Sequence, residues 1–201
     1  MPVAVCGGKP GRAMPPLALA LSLVVAGSAS AGDPQDQWWD RLQALCGQAY
    51  AGQLVRAPEG DDTFRDRSVV IHVRDCSSDR VRIPLVIDDD RSRTWVLSRS
   101  ADGIELRHDH RQADGSPDTV TMYGGITTNA GSADTQMFAA DDQTREVISG
   151  SGQRSVWLME IHPDGRFVYA GNRVGTDRGF QVDFDLSRAV PAPEAPWGWE
   201  D

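Results

Sequence analysis

His108 and His110 stand two positions apart in a run from Gly103 to Arg111 whose alternation puts Ile104, Leu106, His108 and His110 on one face of a strand. Glu105, Arg107, Asp109 and Arg111 take the other face. An apolar surface thus ends in two imidazoles. Histidines at i and i+2 on a strand can reach one metal ion together, but zinc would need a third histidine or carboxylate and, for catalysis, an open position. The two remaining histidines do not offer it: His72 alternates against Val69, Ile71 and Val73, and His162 against Trp157, Met159 and Ile161. The pattern therefore predicts imidazoles bonded to neighbouring polar groups, and no metal site. What faces them depends on register. If Arg111 pairs with Asp118, the shared face carries Thr119, Thr121 and Tyr123, and His108, His110 and Tyr123 make a polar, aromatic-lipped wall of a binding pocket. A slip of one residue substitutes Val120 and Met122 and leaves the imidazoles uncharged among apolar groups. Both registers fit the sequence.

Other reactive patterns are weaker. Asp88-Asp89-Asp90 lacks the spacing and glycine of a calcium loop and reads as an acidic hairpin tip. Ser149 to Gly152 reads S-G-S-G, without the G-x-S-x-G elbow of serine hydrolases. No phosphate-binding glycine loop or dinucleotide fingerprint occurs, so no cofactor is expected. Asp183 and Asp185 alternate with Val182, Phe184 and Leu186 and read as the solvated side of an edge strand. Trp95, Trp157, Phe167, Tyr169, Phe180 and Phe184 fall at strand period and read as core.

The elements that must hold these side chains are one helix and many short strands. Asp33 can cap a helix over 33–51, with Pro34 in its first turn and Trp38, Leu42, Leu45, Cys46 and Ala49 on one stripe, stopping at Gly52. From Ser68 the period is two, and strands are expected near 68–74, 80–87, 93–99, 103–111, 118–123, 135–139, 155–162, 166–172 and 179–186. Between them lie turn residues such as Asp102-Gly103, Asp114-Gly115, Gly124-Gly125 and Asp164-Gly165. Residues 141–148 fit a short helix or a loop. Tight connections make sequential strands antiparallel neighbours, and such a meander hides its edges by curling. The predicted fold is mainly β: an up-and-down, lipocalin-like barrel with one N-terminal helix, or alternatively a two-sheet sandwich.

Residues 1–31 have the layout of a secretory signal: Lys9 and Arg12, an apolar stretch from Leu17 to Val25, and Ala29-Ser30-Ala31 before Gly32. The expected product is a periplasmic or secreted single domain, 32–188, followed by a Pro/Trp-rich tail, 189–201. It has no membrane span. Either Met1 or Met14 could start the leader. Two cysteines then remain, Cys46 and Cys76, and in an oxidising compartment they are expected to pair. The 201-residue chain carries 20 cations against 29 carboxylates, a net charge of −9. That balance disfavours nucleic acid and anionic membrane surfaces as partners. Trp197 and Trp199 in the tail are expected to pack on the domain itself.

The stretches Trp38-Trp39-Asp40-Arg41-Leu42 with Cys46, His72-Val73-Arg74-Asp75-Cys76, His108-Asp109-His110-Arg111 with Asp114-Gly115, and Tyr123-Gly124-Gly125 resemble a group of small secreted bacterial proteins of unknown function. The resemblance covers most of the chain after the leader and implies neither substrate nor catalytic residue. Three functions follow from the sequence as expectations. The first is a non-enzymatic barrel that binds a small apolar or amphipathic ligand. The second is a metal-dependent enzyme using His108 and His110. The third is an envelope interaction module presenting the tail tryptophans. Ligand identity and oligomeric state are not written in the sequence.

Overall fold

The computed structural model describes residues 1–4, 7–8 and 32–199, in two units, 1–31 and 32–201. The cleavage site and apolar stretch of the expected leader lie outside the described residues. The second unit opens with helix α1, Pro34–Ala44. Asp33 accepts a hydrogen bond from the Gln35 amide at 2.8 Å and Pro34 occupies the first turn, the start that the sequence specifies. Trp38, Trp39 and Leu42 form its buried stripe.

The helix is shorter than its apolar stripe suggests. It does not run to 51: the chain turns at Gly47, at φ +82°, and Ala49–Arg56 is strand β1. Tertiary pairing overrides the local period here. The Gly47 amide donates to the Val73 carbonyl at 2.7 Å, and Val73 donates back to Gln48 at 2.9 Å, so the turn is sewn to its neighbour before the ladder begins. Cys46 and Cys76 are disulfide-bonded across 30 positions, as expected. A loop of that length confers about 3–4 kcal/mol by constraining the unfolded chain.

The strands that follow are β2 (Val69–His72), β3 (Asp75–Cys76), β4 (Arg80–Ile87), β5 (Asp90–Ser100), β6 (Gly103–His110), β7 (Tyr123–Ile126), β8 (Thr135–Ala139), β9 (Ser155–His162), β10 (Arg166–Arg173) and β11 (Gly179–Val190). Helix α2, Asp142–Val147, and a 3₁₀ turn, Gly150–Arg154, separate β8 from β9. All pairings are antiparallel, in the order β7-β6-β5-β4-β2-β1-β11-β10-β9-β8, with β3 added to β4. The first and last strands of the chain thus meet, and the remaining seam between β7 and β8 carries one bridge, Thr127 to Phe138. The result is a nearly closed up-and-down barrel rather than a two-sheet sandwich. Closure also corrects the reading of Asp183 and Asp185: β11 is paired on both sides, and Asp183 accepts from Gln181 (2.8 Å) and Arg166 (3.4 Å).

The seam explains a second departure from the sequence reading. Residues 118–122 are loop, and β7 begins at Tyr123 and includes Gly124-Gly125, which read as a break. The two glycines are there because neighbouring backbones lie almost on them. A Cβ on Gly124 would sit 1.8 Å from the Leu106 carbonyl oxygen, and one on Gly125 1.8 Å from that of Ala139. Thr144 of α2 completes the seam: its hydroxyl accepts from the Gly124 amide (2.6 Å) and donates to the Gly124 carbonyl (2.7 Å).

One end of the barrel is sealed by α1. Trp38 and Leu42 join a packed interior with Ile104, Leu106, Phe138 and Phe167, none of them exposed. The helix is pinned to the rim by the Arg41–Asp134 and Arg99–Asp36 ion pairs and by the Gln35 amide on the Thr127 hydroxyl at 2.8 Å. The tail docks on the barrel's own outer wall, as expected of its tryptophans. Glu194 pairs with Arg91 at 2.7 Å, the Trp197 amide donates to the Arg91 carbonyl, and the Arg82 guanidinium lies 4.1 Å from the Trp199 ring centroid. No helix among the described residues is long and apolar enough to cross a membrane.

Candidate ligand-binding site

Away from α1 the barrel is not filled. Strand alternation carries the inward rows of β5, β6, β7, β9, β10 and β11 to Arg93, Trp95, His108, His110, Tyr123, Trp157, Tyr169 and Phe180, which line a cavity of about 400 Å³. The loop after β1 covers part of its mouth with Phe64, whose ring lies 5.4 Å from that of Phe180.

The register that brings Tyr123 to the histidines is the one adopted in effect: His108 lies directly opposite Tyr123 on β7 and Trp95 on β5. The loop 118–122 absorbs the mismatch, with Arg111 bridging Pro117 rather than Asp118 and with Met122 at φ +55°. Thr121 accepts from the His110 amide at 2.8 Å, and Val120 joins the cavity wall. Elements of both registers therefore meet at the site.

His108 is 3% exposed and uses both ring nitrogens. Its Nδ1 lies 3.1 Å from the Tyr123 carbonyl, which only accepts, so Nδ1 carries the proton. Nε2 then accepts from the Tyr169 hydroxyl at 2.8 Å. The ring stacks on Tyr123, with centroids 4.7 Å apart at 13°, and lies 4.9 Å from Trp157. Burial pushes its pKa down to about 3, opposed by the Tyr123 carbonyl and reinforced by neighbouring His110. His110 meets the Tyr123 hydroxyl through Nε2 at 3.1 Å. Donation by the buried phenol to that nitrogen gives its proton an acceptor and leaves His110 with Nδ1–H. Burial and the Arg93 charge lower the His110 pKa to about 4, against Asp118, Asp109 and Asp90, which raise it. Desolvation pushes Tyr123 up to about 12 and raises Tyr169 well above the ordinary tyrosine value.

At neutral pH His108, His110, Tyr123 and Tyr169 consequently present polar but uncharged groups to the cavity, and Arg93 beside them is paired with Asp90. The geometry suits holding a ligand better than moving protons: His108 is a weak base with no free nitrogen, and both phenols stay protonated. His162 is engaged with Glu160 at 2.7 Å at the far end of β9, and His72 pairs opposite Ala49, so neither meets His108. Among the described residues no group of three metal-ligating side chains forms.

Sequence reasoning placed His108, His110 and Tyr123 together. It assigned Trp157, Tyr169 and Phe180 to the core, where their inward faces belong, and missed that they also bound a cavity. Their period-two spacing gave the facing, but which strands stand opposite β6 depends on closure. Arg93 and Phe64 were not singled out. Arg93 shares the face of Trp95, a signal that was present; Phe64 sits in a loop without periodicity. No protein-family model, curated protein or solved structure matches this chain.

Proposed function

We propose that this protein is a carrier or sensor that binds a small molecule with an apolar or aromatic body in the open end of its barrel. The observation that carries the reading is the cavity of about 400 Å³, of ligand size and walled by aromatic rings and two uncharged imidazoles, above an end that is packed and plugged. Tyr123, Trp157 and Phe180 supply the apolar walls. His110 supplies an oriented polar contact through Nδ1–H, and His108 acts behind it by fixing the Tyr123 and Tyr169 rings. The Cys46–Cys76 bond supports a place in an oxidising compartment, and the character of residues 1–31 supports export.

The test uses N-phenyl-1-naphthylamine, an uncharged probe that fluoresces when removed from water. Protein prepared without detergent should bind it with a dissociation constant of roughly 1–100 μM, the range that ligand efficiencies allow a molecule of this size. Thr63→Trp, which puts bulk on an exposed residue of the mouth, should weaken binding about tenfold or more without altering the fold. Absence of a fluorescence increase with wild-type protein at about 1 mM, or an unchanged affinity in the variant, overturns the reading.

A further inference from the structure

One side of the cavity mouth carries positive charge that the protein does not neutralise. Arg173 and Arg178 close the β10–β11 hairpin opposite one another, joined by the Arg173 amide donating to the Arg178 carbonyl at 3.0 Å, and both line the cavity. Like charges in this position repel. Arg154 is tied to the same turn by its carbonyl, which accepts from Val174 at 3.0 Å, and Arg56 reaches the hairpin through Asn172 at 3.1 Å. Among the described residues none of these four arginines is in an ion pair. Their side-chain partners are neutral: Asn172 for Arg56 at 3.1 Å and the Ser151 hydroxyl for Arg173 at 3.5 Å. Most arginines elsewhere differ: Arg41, Arg82, Arg91, Arg99, Arg107 and Arg166 each hold a carboxylate, whereas the exposed Arg80 and Arg188 form no ion pair among the described residues. In a chain of net charge −9, Arg173 and Arg178 are thus two cations without an ion pair at the rim of a cavity, with Arg56 and Arg154 beside their hairpin.

The acids at the mouth keep their charge but do not pair with these arginines. Asp61 accepts from the Thr63 amide, and Asp118 from the Val120 amide and the Thr119 hydroxyl, each within its own loop, and neither forms an ion pair among the described residues. Asp177, in the hairpin turn itself, is exposed and forms no ion pair among the described residues. Arg93, across the mouth, is paired with Asp90. The imidazoles and phenols below are uncharged. Charge recognition is therefore confined to one side of the rim, and apolar recognition to the depth.

We propose that the ligand is an amphipathic organic anion, its apolar or aromatic body in the cavity and its acidic group at the rim against Arg173 and Arg178. This rests on the ligand-binding reading above and adds the polarity and sign of the ligand. The acidic group is a single anionic head such as a carboxylate or sulfonate, for which guanidinium forks are well matched.

Two probes with the same aromatic body separate the two claims. 8-Anilinonaphthalene-1-sulfonate adds a sulfonate to the body of N-phenyl-1-naphthylamine. Wild-type protein should bind the sulfonate about tenfold more tightly at low salt, the advantage shrinking at 1 M salt, where screening acts over about 3 Å. Arg173→Gln with Arg178→Gln should remove the advantage and leave binding of the neutral probe unchanged. The same exchange at Arg80 and Arg188, exposed arginines outside the cavity, should leave both probes unchanged. If the neutral probe binds in the cavity and the sulfonate binds no better, or keeps its advantage in the Arg173/Arg178 variant, the anionic-ligand inference fails alone. If neither probe is weakened by Thr63→Trp, the cavity reading fails with it.

Discussion

Gly125→Ala should destabilise the protein by about 3 kcal/mol or more, lowering Tm by roughly 6–12 °C in thermal unfolding. The added Cβ would lie 1.8 Å from the Ala139 carbonyl oxygen, a backbone atom that cannot turn aside. Accommodating it separates β7 from the end of β8, where closure depends on one bridge and on Thr144. Gly47→Ala gives the comparison. Gly47 has φ +82° with nothing within 4 Å of an added Cβ, so only the left-handed conformation is penalised, about 1–2 kcal/mol. Equal losses in the two variants would mean that the seam is not tightly closed.

Acid should unfold the protein early. A histidine held neutral by burial takes up its proton in the unfolded chain first. Between the ordinary histidine value of 6.5 and the folded values near 3 and 4, unfolded molecules thus bind more protons than folded ones, and stability falls with falling pH. His108 and His110 together should remove about 3–4 kcal/mol between pH 7 and pH 5, the full contribution being present above pH 6.5. His72, also lowered by burial and by Arg74, acts in the same direction. Carboxylates held low by hydrogen bonds, such as Asp90 and Asp141, lose their contribution only in more acidic solution. Urea unfolding at pH 7, 6 and 5 measures the slope. Replacing His108 and His110 by glutamine should flatten most of it, whereas an unchanged slope would mean that the two imidazoles are not buried neutral.

Much of this molecule was legible from alternation. β4, β6, β9 and β10 stand at or within a residue of where period two puts them, and the inward row Ile104, Leu106, His108 and His110 was read directly. The helix start was visible because Asp33 and Pro34 are local signals. Its end was not, because Cys46 and Ala49 continue the stripe while the competing ladders with β2 and β11 are made by residues far along the chain. Gly124 and Gly125 misled for a similar reason: glycine marks a turn and also a close backbone approach, and only closure distinguishes them. The site was half legible. The His108–Tyr123 wall comes from adjacent strands, but Trp157, Tyr169 and the Arg173/Arg178 rim face it across the barrel, at distances no short-range pattern encodes.

A barrel packed at the α1 end should be able to take a guest only at the other. Intermolecular nuclear Overhauser effects between bound N-phenyl-1-naphthylamine and the protein's aromatic rings test this directly. Contacts to Phe64, Tyr123, Trp157 and Phe180, with none to Trp38, are the predicted result. Contacts to the exposed Met137 or Val174 side chains instead, with the cavity rings silent, would contradict it.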